Sequence, residues 1–196
     1  MKVIGLTGGV GSGKSTVTEI LKDLGYQAVQ TDAIGKDLMR PGEAGYREIV
    51  LLFGDSILQE DGQIDRNRLA KIIFHEPRKK SVVESIIHPL VKRRVIDAVT
   101  EARIRGDADY FFVESALLYE DHYETVCDEF WYVYAPESVR RQRLKASRGY
   151  SDEKIDSILK SQLSDKSFRS ICTQVIDNSG DRQKTKGCLE KLLNLC

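Results

Sequence analysis

Apolar residues along this chain follow two alternating patterns. Short runs bounded by polar residues recur at 3–6 (VIGL), at 28–29 leading into Thr31-Asp32, at 110–113 (YFFV), at 131–134 (WYVY) and at 175–176. Their length and β-rich composition predict buried strands. Between them, apolar residues fall at helical spacing: Val17, Ile20, Leu21 and Leu24 follow Ser15, and Gly25 supplies a stop. The stretch 135–151 opens with Pro136 in a first helical turn. Strands alternating with helices predict an α/β fold, a parallel sheet flanked by helices. One interval breaks the rhythm. Residues 33–109 are too many for one crossover helix, and within them 68–74 (RLAKIIF) and 82–104 (VVESIIHPLVKRRVIDAVTEARI) have helical periodicity. The simplest account is one domain over 1–196, with a core of 1–32 and 110–196 and a helical insert at about 33–109. Ligands of such a sheet bind outside the carboxyl ends of its strands, here between sheet and insert.

Composition narrows the partners. The 30 basic and 30 acidic residues cancel, which weighs against nucleic acid as the main partner. No run approaches membrane-spanning length, and the first residues read as a strand rather than a signal peptide. Cys127, Cys172, Cys188 and Cys196 are scattered without a C-x-x-C pair, and His75, His88 and His122 do not cluster with them. The expectation is free thiols, no structural metal, a cytoplasmic location and, by default, a monomer.

The chemistry gathers at residues 5–16, GLTGGVGSGKST. Gly8-Gly9-Val10-Gly11-Ser12-Gly13-Lys14-Ser15 fits G-x-x-x-x-G-K-[ST], a phosphate-binding loop, and it sits between a predicted strand and a predicted helix. A Cβ on those glycines would keep the backbone from the phosphates or forbid positive φ. Lys14 then reaches the β- and γ-phosphates and the Ser15 hydroxyl holds Mg²⁺. A flexible turn matching by chance is the alternative, and the strand–loop–helix context argues against it. Asp32, at the end of the second predicted strand, is placed to accept a proton from a hydroxyl attacking the γ-phosphate; a helix N-cap is the competing role, and the two can coexist. Residues 32–35 also match D-x-x-G, but no N-K-x-D follows anywhere, so the match reads as coincidence. Glu114 stands at a strand exit where phosphate-loop proteins place an acid for Mg²⁺ or its waters; a strand-end acid without a ligand explains it equally. The basic run Arg140, Arg141, Arg143, Lys145 and Arg148 puts 140 and 143 on one helix face and 141, 145 and 148 on another. Such a segment serves as a lid over ATP, with at least one of Arg143 and Arg148 expected to touch phosphate, although a solvated basic face also explains any single arginine.

With these pieces in place, the chain resembles the dephospho-coenzyme A kinase family nearly end to end. The resemblance is carried by GLTGGVGSGKST, TDAIGKDLMRPGEAGYREIVLLFG, DGQIDRNRLAKIIF, SIIHPLV, ESALLYE, YAPESVRRQRL and VIDNSG. It implies a P-loop NTPase-type fold whose helical insert binds the acceptor and whose lid spans about 136–168. The implied reaction is ATP-dependent phosphorylation of the ribose 3′-hydroxyl of dephospho-CoA, the last step of coenzyme A synthesis. By the same resemblance Gly8, Gly9, Gly11, Ser12, Gly13, Lys14, Ser15 and Thr16 hold ATP, and Ser15 and Glu114 serve Mg²⁺. Asp32 is the base, with Lys14 and Arg143 beside it in catalysis. Arg66, His88 and Leu117 lie on the acceptor side, with a structural role as the alternative for Arg66 and His88. Asn178 lies near the adenine. Three positions depart from the family pattern: Gln30 and Thr31 replace the first two residues of a D-A-D segment, Glu114 replaces an aspartate, and the usual lid arginine falls on Ser147 with Arg148 one place along. A nucleoside or nucleotide kinase is the runner-up, and a regulatory P-loop NTPase a more distant one.

Overall fold

The computed structural model describes residues 1–195; Cys196 lies outside the described residues. Five strands, β1 (Lys2–Thr7), β2 (Gln27–Gln30), β3 (Tyr110–Glu114), β4 (Glu129–Tyr134) and β5 (Gln174–Asp177), form one parallel sheet in the order β2-β3-β1-β4-β5. Every strand predicted from the apolar runs is present. β1 is central, pairing with β3 from Lys2↔Tyr110 to Leu6↔Glu114 and with β4 from Ile4↔Glu129 to Thr7↔Tyr132. A central parallel strand is covered on both faces, so Val3, Ile4 and Leu6 are all buried rather than alternating with exposed neighbours.

The chain divides into two compact units, Met1–Gln30 with everything from Ala102 onward, and Thr31–Glu101. In the first, α1 (Lys14–Asp23) and α9 (Arg182–Leu192) share a core with the sheet. Val17, Ile20 and Leu21 of α1 and Leu189 of α9 pack against Ile4, Leu6, Phe112, Trp131, Val133 and Ile176. Each large side chain so buried contributes roughly 1.5–3 kcal/mol. α9 starts at Asp181, whose carboxylate accepts the Lys184 N–H at 2.8 Å. Between β4 and β5 run α6 (Glu137–Arg148), α7 (Asp152–Lys160) and α8 (Asp165–Ile171).

The second unit is helical: α2 (Thr31–Leu38), α3 (Ala44–Phe53), α4 (Arg66–His75) and most of α5 (Pro77–Arg105). Along α5, Val83, Ile87, Val91, Val95 and Val99 are buried at four-residue intervals, the stripe that the sequence periodicity predicts. α3 approaches this stripe closely, since a Cβ on Gly45 would stand 2.8 Å from both Ile87 Cδ1 and the Leu38 carbonyl oxygen. Asp65 caps α4 by accepting from the Asn67 and Arg68 N–H groups, each at 3.0 Å. α5 continues through Pro89 without a break.

Candidate active site

The phosphate-loop segment joins β1 to α1, and Gly13 is the residue on which it turns. Gly13 precedes α1 with φ 86°, a left-handed conformation that a side chain would strain, and no side chain caps the helix. The first N–H groups of α1 are therefore left to an incoming anion, which the helix dipole also favours. Inside the loop the Ser12 hydroxyl is buried, at 1% exposure, and is the one buried side-chain polar atom lacking a partner among the described residues. An unpaired buried hydroxyl costs roughly 1–3 kcal/mol, which a ligand oxygen would recover. The Lys14 ammonium donates to the Gly8 carbonyl at 2.7 Å, so it lies back along the loop. Ser15 is exposed and Thr16 half-buried in the first turn of α1.

Side chains from distant parts of the chain hold this loop from behind. Asn178, just past β5, is 3% exposed; its Nδ2 donates to the Ser12 carbonyl at 2.7 Å and its Oδ1 accepts from the Thr185 hydroxyl at 2.8 Å. Where the resemblance implies a polar contact to adenine, the structure commits this amide to the loop backbone and to α9. Arg143 of α6 donates to the Ser12 carbonyl at 3.2 Å and to the Asn178 carbonyl at 2.8 Å. Arg148 is exposed at the end of α6, its guanidinium carbon 5.8 Å from the centre of the Tyr150 ring. The two faces of α6 thus have different tasks. Arg140 and Arg143 meet the loop, whereas Arg141 pairs with Glu137 and Asp156, and Lys145 with Asp152 at 2.8 Å.

Glu114, the last residue of β3, is fixed from two sides. Its Oε2 accepts from the Thr18 hydroxyl on α1 at 2.9 Å and from the Gln30 amide at the end of β2. Thr18 lies one helical turn beyond Ser15, so this carboxylate is anchored on the α1 face that carries the Ser15 hydroxyl. Among the described residues no group of three or more His, Cys, Asp or Glu side chains could hold a metal ion. A Mg²⁺ that travels with a triphosphate needs no such cage, because phosphate oxygens and waters fill most of its octahedron. One exposed hydroxyl with a fixed carboxylate close by fits that donor set.

The remaining predicted residues are placed as follows. Leu117 is exposed after β3, its N–H donating to the Ser115 hydroxyl at 3.1 Å. Asp32 is exposed within the first turn of α2 rather than at a cap position. Arg66 begins α4 and donates to the Lys36 carbonyl at 3.0 Å, and His88 is half-buried midway along α5. The first unit therefore brings together the loop, Arg143, Asn178 and Glu114, while Asp32, Arg66 and His88 belong to the second. Sequence reasoning missed Thr18 and Gln162. Thr18 could have been found from its helical spacing after Lys14; Gln162 carried no local signal.

A parallel sheet with this strand order, a glycine-rich turn from the first strand into a helix, and a lysine and serine opening that helix define a P-loop kinase-type protein. The dephospho-CoA kinase family model matches residues 2–184. The chain belongs to the dephospho-CoA kinase family. Dephospho-CoA kinase of Carboxydothermus hydrogenoformans is 38% identical over 186 residues, covering 95% of this chain and 90% of that protein. A crystal structure of TT1252 from Thermus thermophilus superposes with a TM-score of 0.80 at 30% identity, covering 99% and 97% of the two chains. The fold is shared as well with dephospho-CoA kinase from Campylobacter jejuni, at TM-score 0.73, 23% identity and coverage of 100% and 98%.

Proposed function

We propose that this chain transfers the γ-phosphoryl group of ATP to the ribose 3′-hydroxyl of dephospho-CoA, giving coenzyme A and ADP. The observation that carries the reading is the phosphate loop itself, with uncapped helix N–H groups, an unpaired buried Ser12 hydroxyl and Lys14 beside them, in a chain of the dephospho-CoA kinase family. In this reading the main-chain amides of Gly8–Thr16 cradle the triphosphate, and Lys14 swings from the Gly8 carbonyl to the β- and γ-phosphates. Arg143 keeps the loop in shape through the Ser12 and Asn178 carbonyls, and the exposed Arg148 belongs to the lid over the triphosphate. Asp32 orients the attacking hydroxyl and takes its proton late, since a loose transition state asks more for position than for a strong base. Arg66, His88 and Leu117 serve the acceptor side. Ser15, with Glu114 close to it, would hold a Mg²⁺ that accompanies the triphosphate, and the ion would supply charge neutralisation there. The enzyme works as a cytoplasmic monomer on two small molecules, without nucleic acid; no described helix is long and apolar enough to cross a membrane.

A coupled ADP-release assay tests the reaction. ADP formation should depend on dephospho-CoA and not on nucleosides or nucleotides. Turnover driven equally by a nucleoside would replace this reading with a nucleoside kinase, and acceptor-independent hydrolysis would replace it with a regulatory NTPase.

A further inference from the structure

The phosphate loop is gripped at a third place, which the proposed reaction does not use. Gln162 lies just beyond α7, and its side-chain Oε1 accepts the Val10 N–H at 3.0 Å and an Arg140 Nη2–H at 2.9 Å. Arg140, on α6, closes the ring by donating from Nε to the Val10 carbonyl at 2.9 Å. Both main-chain polar groups of Val10 are thus held by two side chains that also hold each other. The same arginine explains the glycine pair around Val10. A side chain on Gly9 would run into the Arg140 guanidinium, and a Cβ on Gly11 would stand 2.9 Å from the Arg140 carbonyl oxygen. Arg140 is roughly half-buried, so its cation is committed to these partners rather than to bulk water.

We propose that Arg140 and Gln162 are positioning residues for phosphoryl transfer, a clamp on the Val10 peptide that shapes the phosphate loop before nucleotide arrives. The inference rests on reading that loop as the triphosphate site. A glycine-rich segment has more conformational freedom to lose on ordering than any other, and nucleotide binding must otherwise supply that loss. Cross-links from α6 and from the end of α7 remove the freedom in advance. Their effect therefore falls on nucleotide affinity rather than on proton transfer. Neither side chain need touch substrate. Arg141 and Lys145, on the opposite face of α6, are tied to α7 by their own ion pairs. The clamp's two arms therefore come from α6 and from the residues just after α7, two helices already fastened to each other.

Gln162→Leu removes the shared acceptor and leaves the Val10 N–H and one Arg140 donor unpaired. The dissociation constant of a fluorescent ATP analogue, and the KM for ATP, should rise about tenfold, while kcat falls less than about twofold. Gln162→Glu keeps an oxygen for both donors and should recover most of that loss. Arg140→Ala should match Gln162→Leu, and the double variant should be little worse than either, because both act on one peptide. Hydrogen exchange in the nucleotide-free protein gives a second readout: the Val10 amide should exchange faster in Gln162→Leu and be slowed again in Gln162→Glu. Unchanged analogue affinity and Val10 exchange in Gln162→Leu would overturn the proposal. So would a fall in kcat at constant KM, or a lowered melting midpoint with affinity intact. The titration needs no acceptor, so a chain that binds ATP through this clamp yet leaves dephospho-CoA untouched would sink the reaction and not the clamp.

Discussion

The two units of this chain meet the same physical problem, holding functional side chains in place, in different ways. In the sheet unit the loop is held by polar groups: Asn178, Thr185, Arg143, Arg140 and Gln162 bond to its backbone or to one another, with Asn178 and Thr185 buried. In the helical unit the core is aliphatic, built on the α5 stripe with Leu38, Ile49, Ile57 and Leu69, and the candidate acceptor residues Arg66 and His88 ride on its helices. Large apolar residues, Leu51 and Phe74 among them, remain exposed there. A triphosphate is a fixed, highly charged shape best met by preset backbone N–H groups, which only a hydrogen-bonded frame can aim. Side chains on helix surfaces can be exchanged one at a time without rebuilding such a frame.

The sharpest test of this division exchanges one charged group in each unit. Asp32→Asn should lower kcat about a thousandfold while the ATP dissociation constant stays within about twofold. Lys14→Ala should lower kcat about a hundredfold or more, and affinity for ATP less, because the lysine follows charge that develops in transfer. Steady-state kinetics beside nucleotide titration separates the two, and near-normal turnover in Asp32→Asn would remove it from the base role. A smaller effect compares the frames themselves. Asn178→Ala leaves the Ser12 carbonyl with Arg143 alone and the Thr185 hydroxyl with the Asp181 carbonyl alone, and should cost about 1–3 kcal/mol of stability together with a weakened hold on ATP. Ile49→Ala should cost a similar 2–4 kcal/mol through a cavity and leave ATP affinity unchanged. Equal losses of ATP affinity in the two variants, measured beside urea unfolding, would show that the frames are not separable.

The smallest effect comes with alkali and falls on the sheet unit. Burial pushes the Cys172 thiol up to about 12 from an ordinary 9.0, and burial likewise raises the Tyr123 and Tyr132 hydroxyls above their ordinary 10.0. A raised folded-state value means the protonated form is favoured by folding. The contribution is complete below the unfolded value and is lost as pH climbs from it toward the folded one. Thermal midpoints should be flat up to about pH 9 and then fall, each group costing at most ~1.4 kcal/mol per pH unit. Replacing Cys172 with Ala should flatten the onset near pH 9; an unchanged onset would mean the thiol is not protected as its burial requires.

Much of the fold is legible along the chain. The five apolar runs and the α1 and α5 periodicities each report burial on a local repeat, and they correspond to observed elements. Less visible are α3, α8 and α9, which the periodicity reading does not single out. α8 is seven residues long and α9 is polar except for a narrow buried edge at Thr185 and Leu189. The phosphate loop is equally legible, because its chemistry depends on the backbone and so imposes glycines at fixed local spacing. Asn178 shows the opposite case. Its motif marks it as important, but a buried amide and an exposed one are written with the same letter, and only the partners 166 positions away, at Ser12, tell which it is.

The sequence by itself therefore determined the parallel α/β sheet, the loop, its lysine and serine, and the kinase family. Each of these is written in local patterns, a few residues or a helical turn at a time. Only the tertiary structure decided that Arg140 and Gln162 close on Val10, that Arg143 and Asn178 brace Ser12, and that Gln30 and Thr18 fix Glu114. Each of those bonds joins groups brought close by the packing of strands and helices, and hydrogen bonding depends on distance in space, which spacing along the chain does not record.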